Sequence, residues 1–196
     1  MRRFLIAVAL VAAMLPIVSS SAASKRTCGP RKAETAVTSR YARVYGYADP
    51  DDSDTSYVAA CLFRGGKPVV LSEFTFGAGG VGSVGGPYVL AGRFVAYADG
   101  ICQTSCQYGL IVIDLKRRRV TRHTAPLTGQ PVRIVATFSG LAAVLGKSEN
   151  SEYYVEVLDK AGAVELDRGY NLRTLSLAGH TIRWKHDSAP RSYELR

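Results

Sequence analysis

The sequence predicts an all-β chain built from propeller-like repeats, about four short antiparallel blades. Three observations lead there. Short runs rich in β-branched and aromatic residues recur along the chain, bounded by Gly, Asp, Ser or Pro. Turn signals return at Ser39, Ala91, Ser139 and Ala178, spacings of 52, 48 and 39, and long strands begin at Tyr57, Tyr108 and Tyr154, spacings of 51 and 46. No segment repeats apolar residues at helical spacing for three turns, so no helix is expected. A β-sandwich or an irregular β-barrel is the alternative arrangement of the same strands.

The chain begins with a targeting pattern. Arg2 and Arg3 precede an apolar run from Phe4 to Leu15, and Pro16 and the small residues Ser19 to Ala23 follow. Ser21 and Ala23 suit the −3 and −1 positions of a cleavage site, so residues 1–23 read as a signal peptide. A retained membrane anchor needs roughly 20 apolar residues, more than this run supplies. The residues around Arg2-Arg3 fit a twin-arginine signal poorly, and ordinary secretion is the expected route. The expected mature protein is secreted or extracytoplasmic, with no membrane span.

Of the 25 Lys and Arg residues, 23 remain after that segment against 16 acids, a formal charge of +7. The charge of a basic exported domain suits acidic cell-envelope polymers, phospholipid head groups or nucleic acid; of these an acidic cell-envelope polymer, or else another protein, is the expected partner. Solubility alone also accounts for a charge of this size.

Residues 24–34 read as an irregular lead-in, polar and charged, with Cys28, Gly29 and Pro30. Residues 35–196 read as a single propeller-like domain. Its first unit has strands at Thr35–Thr38, Tyr41–Tyr47, Tyr57–Phe63 and Lys67–Glu73, with an acidic loop Asp49–Thr55 and a Gly65-Gly66 turn. The second has Val89–Leu90, Phe94–Tyr97, Tyr108–Leu115 and Val120–Thr124; the loop Asp99–Gln107 carries two cysteines. The third has Val132–Phe138, Leu141–Leu145, Tyr154–Asp159 and Val164–Leu166, with a loop Gly146–Glu152. The fourth has Leu175–Leu177, Thr181–Trp184 and Ser192–Leu195, and it stops one strand short. The unpaired edge that results invites self-association, or a small ring closed by four units.

The runs AGRFVAYAD and YGLIVIDLK, followed by a short basic turn, resemble the repeats of secreted bacterial β-propeller proteins. The closing LSLAGHTIRWKHDSAPRSYEL is similar to their last partial repeat. The resemblance spans most of residues 35–196. It implies architecture and carries no activity. The count departs from the pattern: about four units stand where such rings often hold roughly six to eight.

Four cysteines in a short exported chain point to disulfides and allow three connectivities. The expected pairing is Cys102 with Cys106, in one loop between neighbouring antiparallel strands, and Cys28 with Cys61. Cys61 stands in a strand where later units have Val112 and Val157, so a buried free thiol is the alternative there.

Candidate sites are few. Asp49, Asp51, Asp52 and Asp54 offer hard oxygens to calcium, without the Gly and distal Glu of an EF-hand loop. Lys116, Arg117, Arg118, Arg119 and Arg122, with His123 beside them, form the densest basic run and suit a polyanion. No aromatic residue interleaves with that run, which argues against nucleic acid. Gly77 to Gly82 spells GAGGVG, but a strand follows it where a dinucleotide site needs a helix. His180 and His186 flank one strand without further zinc ligands, and no G-x-S-x-G elbow occurs. No catalytic residue and no cofactor is assigned. The expected function is a secreted binding or scaffold module acting through the loops Asp49–Thr55, Asp99–Gln107 and Gly146–Glu152. A secreted hydrolase or lyase on the same rim is the alternative.

Overall fold

The computed structural model describes residues 28–30, 32–75, 82–102, 106–124, 127 and 129–196. They form four separate antiparallel sheets, none closed on itself. The first holds β1 (Glu34–Thr38), β2 (Ala42–Ala48), β3 (Thr55–Leu62) and β4 (Val69–Thr75). The second holds β5 (Gly82–Ala91), β6 (Phe94–Cys102), β7 (Cys106–Asp114) and β8 (Arg119–His123). The third holds β9 (Gly129–Ala136), β10 (Ala142–Ser148), β11 (Tyr153–Asp159) and β12 (Gly162–Gly169). The fourth has three strands, β13 (Leu172–Ala178), β14 (Thr181–His186) and β15 (Ala189–Glu194). Each sheet is a simple meander in chain order.

The period of two in the middle strands stacks the sheets. Side chains of a strand alternate between faces. On β6, Val95 and Tyr97 pack with Ala42, Val44, Ala60 and Leu71 of the first sheet, whereas Ala96 and Ala98 face Ile134, Ala142 and Val144 of the third. On β11, Tyr154 and Leu158 join the core with the second sheet, while Val155 and Val157 join Leu175, Ile182 and Trp184 of the fourth. The second and third sheets are therefore buried on both faces, which is why their central strands read as continuous apolar runs. The alanines at the seams let neighbouring sheets approach closely. The first strands β1, β5, β9 and β13 lie next to one another in succession.

The two outer faces are finished differently. On the first sheet, Tyr45, Ala59 and Cys61 are covered by the lead-in, which the Cys28–Cys61 disulfide fixes in place. Arg43 holds the same segment through the Cys28 carbonyl at 3.2 Å and the Ala33 carbonyl at 2.5 Å. On the fourth sheet, Arg183 and Lys185 alternate with the inward Ile182 and Trp184, so that outer face is polar and exposed.

Several boundaries differ from those the sequence predicts. β5 begins at Gly82, well before Val89, because its glycines pair with β6 up to Cys102. A register shift between Gly85 and Tyr88 absorbs Gly86-Pro87, a pair that propensity reads as loop. Most of the predicted loop Asp99–Gln107 is strand, because β6 and β7 stay paired as far as Cys102 and Cys106. Between the predicted strands Thr181–Trp184 and Ser192–Leu195 the chain is not an open loop: β14 and β15 pair as far as His186 and Ala189 and are joined by a two-residue turn, Asp187-Ser188, with φ of 48° and 70°. Positive φ at both central residues is the geometry that matches strand twist in a tight hairpin. The lead-in ends at Ala33 rather than residue 34, since Glu34 already pairs with Gly46.

Candidate functional site

In every meander the turns after odd-numbered strands fall at one end of the sheet. Stacking places these ends side by side, so turns from three sheets share one rim. A groove of about 1060 Å³ runs along it. Its lining includes Arg40 and Tyr41 from the β1–β2 turn, Phe63 and Arg64 after β3, Arg93 and Phe94 at the β5–β6 turn, and Phe138 after β9. A second depression of about 380 Å³ adjoins it, sharing Arg93, Phe94 and Ser139 and adding Arg117, Arg119 and Arg122.

The sequence builds this surface from short turns. Gly92 (φ +62°) and Gly140 (φ +78°) adopt the left-handed conformation that a tight turn demands. Their missing side chains are filled by rings from the neighbouring sheet. Phe138 lies against Gly92, and Phe94 lies against Gly140. The exchange locks the second and third sheets together at the rim. Arg122 reinforces the lock by donating to the Gly140 carbonyl at 2.9 Å and the Asp159 carbonyl at 3.2 Å.

Asp114 organises the basic turn. Its carboxylate is buried, accepts the Lys116 and Arg117 backbone N–H at 3.0 and 3.2 Å, and faces Arg93 at 3.1 Å and Arg117 at 3.8 Å. Asp159 occupies the matching position of the third sheet and accepts the Ala161 N–H at 2.8 Å. A strand ending in Asp thus fixes each basic or polar turn. Among the described residues, no carboxylate lies within ion-pair distance of Arg40, Arg64 or Arg119. The guanidinium of Arg40 lies over Tyr41 at 4.6 Å and that of Arg93 over Phe94 at 5.0 Å. Phe138 is 70% exposed and meets Tyr41 edge-on, centroids 6.5 Å apart.

The residues of the basic run divide. Arg119 faces the second depression, Arg117 leans on Asp114, Lys116 and Arg118 are exposed on the turn, and Arg122 is engaged in joining two sheets. Arg40, Arg64, Arg93 and Phe138 enter the surface from turns far apart in sequence. A local signal for them exists: Arg40-Tyr41, Phe63-Arg64 and Arg93-Phe94 repeat an arginine beside an aromatic residue at equivalent turns.

The loops expected to carry function lie at the opposite ends of the sheets. The aspartates of Asp49–Thr55 serve their own loop. Asp49 accepts from the Asp51 N–H and from Tyr57, Asp52 from the Asp54 N–H and the Thr55 hydroxyl, and Asp54 from Ser53. The hydrogen bond from Thr55, with that from Asp54, holds the Asp52 carboxyl below its usual range. Among the described residues no three His, Cys, Asp or Glu converge as a metal set. Of the glycine run, residues 77–81 lie outside the described residues, as do residues 1–23.

Cys28 and Cys61 are bonded, and the backbones of Cys102 and Cys106 stand directly opposite in the β6–β7 register. His186 has its Nδ1 on Asp167 at 2.8 Å and its Nε2 near Asp187 at 3.7 Å. Carboxylates face both nitrogens, and Asp167 also accepts the Trp184 indole N–H at 2.7 Å. This cluster fastens β12 to β14. His180 is exposed at the turn before β14.

No family model matches the chain, and no curated protein and no solved structure matches it significantly.

Proposed function

We propose that this chain is an exported binding module of four propeller-type blades that holds an acidic partner on the rim of its odd-strand turns. The observation that carries the reading is the groove lined by Arg40, Arg64 and Arg93, continuous with the depression at Arg117 and Arg119. Three of these arginines have no carboxylate partner among the described residues; Asp114 and Asp159, which end β7 and β11 at the same rim, are buried, and the exposed Glu194 of the fourth sheet is not part of either lining. Unpaired guanidinium groups on a concave surface attract anions and bind them bidentately. Adjacent first strands β1, β5, β9 and β13 support the blade arrangement, and the Cys28–Cys61 disulfide suits an oxidising compartment.

The test is charge reversal. Arg40→Glu with Arg64→Glu is expected to weaken retention of soluble polyanions about tenfold or more, the scale of a lost charged hydrogen bond. Lys147→Glu, at the opposite end of β10, is expected to leave retention unchanged. Equal loss in both variants, or no polyanion retained by the parent chain, removes the reading.

A further inference from the structure

The aromatic residues of the groove narrow the kind of anion it takes, provided that the rim binds polyanions as proposed. Four rings line it, Tyr41, Phe63, Phe94 and Phe138. Arg40 covers Tyr41, Arg93 covers Phe94, and Phe63 is half-buried. Phe138 alone among them combines high exposure with no guanidinium over it; one side rests on Gly92. The groove therefore presents several unpaired or half-paired positive charges around a single open apolar platform.

We infer that the ligand is an anionic polysaccharide, with its carboxylate or sulfate groups on Arg40, Arg64 and Arg119 and the apolar face of one sugar ring on Phe138. A single-stranded nucleic acid stacks successive bases and needs a series of open rings. A polyphosphate chain matches the charge and has no apolar face to set on Phe138. A charged sugar supplies both features in one repeat unit. Planar guanidinium forks match carboxylate and sulfate oxygens two at a time. The oxidised Cys28–Cys61 pair suits a compartment where such glycans occur and free nucleotides are scarce.

Binding of the disulfide-intact chain to dextran sulfate, neutral dextran, polyphosphate and poly-uridylate tests this, by titration calorimetry at fixed salt. Dextran sulfate is expected to bind more tightly than polyphosphate or poly-uridylate at matched charge, and neutral dextran is expected not to bind. Phe138→Leu keeps an apolar contact on Gly92 and removes the flat ring; it is expected to weaken dextran sulfate about fivefold, on the scale of aromatic contacts, with polyphosphate unchanged. Arg64→Glu is expected to weaken both. Thermal melting of each variant confirms that it folds. Equal binding of the three polyanions, or a Phe138→Leu chain that holds dextran sulfate as the parent does, overturns the glycan assignment; the polyanion reading then still stands if Arg64→Glu weakens all three. If no polyanion binds, both fall.

Discussion

Trp184 donates its indole N–H to Asp167 at 2.7 Å, across the seam between the third and fourth sheets. The ring is buried, and the carboxylate is the acceptor that its N–H uses. An unsatisfied buried donor costs about 1–3 kcal/mol. Asp167→Ala is expected to lower stability by that amount, and Asp167→Asn, which keeps one acceptor, by less. Trp184 is the single tryptophan, so its fluorescence during urea unfolding reads this seam directly.

The lead-in is held by a bond that closes 33 residues. Constraining a loop of that length lowers unfolded-chain entropy by about 3.7 kcal/mol at room temperature. The double variant Cys28→Ser, Cys61→Ser is expected to unfold at markedly lower urea and to expose Tyr45, which the lead-in and its neighbours bury to 1%. Proteolysis after residue 28 in the variant alone checks that the covering segment has detached.

Glu156 gives stability a pH slope. Burial, and then the charge of Glu165 opposite it in the register, push its carboxyl from 4.5 up to about 7, with Arg168 opposing. A carboxyl that binds its proton more tightly when folded stabilises the fold below its unfolded value. That contribution declines as pH rises from 4.5 to about 7, and above it the buried charge is a net cost. Solvent screening moderates the size, since the group is partly exposed. Glu156→Gln is expected to flatten the stability–pH curve across this window and to raise stability at about pH 8, read by urea titration at several pH values.

The strands that resist water on both sides were legible in the sequence. Tyr108–Leu115 and Tyr154–Asp159 are apolar on consecutive positions because a sheet lies against each face. β5 was legible only at its end. Gly82, Gly85, Gly86 and Pro87 have no strand propensity of their own, and pairing with β6 extends them. The basic run was visible as a run; its division was not, because whether an arginine is free or engaged depends on the neighbouring sheet. Arg122 reaches carbonyls 18 and 37 residues away, and no local pattern encodes such a reach. The groove follows the same logic. Arg40, Arg64, Arg93 and Phe138 stand in separate turns, and only the stacking order joins them.

Gly140 has room for nothing beyond its hydrogen. It combines φ of +78° with the Phe94 ring against its missing side chain, and a Cβ there would meet ring carbons at 2.8 Å. Gly140→Ala is expected to cost about 1–3 kcal/mol through backbone strain, plus displacement of Phe94. Gly65→Ala is the control: its φ is +79°, matching that of Gly140, but nothing lies within 4 Å of the added carbon. A larger loss at Gly140 than at Gly65, in parallel chemical denaturation, isolates the ring contact.

The last sheet is expected to end the stack by its chemistry. Arg183 and Lys185 point away from the Ile182 and Trp184 core, and their register partners Ser192 and Pro190 extend the same face. A further sheet packed there would bury two cations with no apolar gain. At the other end the disulfide-tied lead-in occupies the equivalent surface. The outermost strands also carry charges, Glu73 on β4, Arg119 and Arg122 on β8, and Glu165 and Arg168 on β12, which oppose edge-to-edge pairing. The parent chain is therefore expected to be monomeric by light scattering. Arg183→Leu with Lys185→Leu replaces the two cations by apolar groups continuous with Pro190, and is expected to produce concentration-dependent dimers. A parent chain that already dimerises, or a double variant that stays monomeric at high concentration, contradicts the view that this face is what stops the stack.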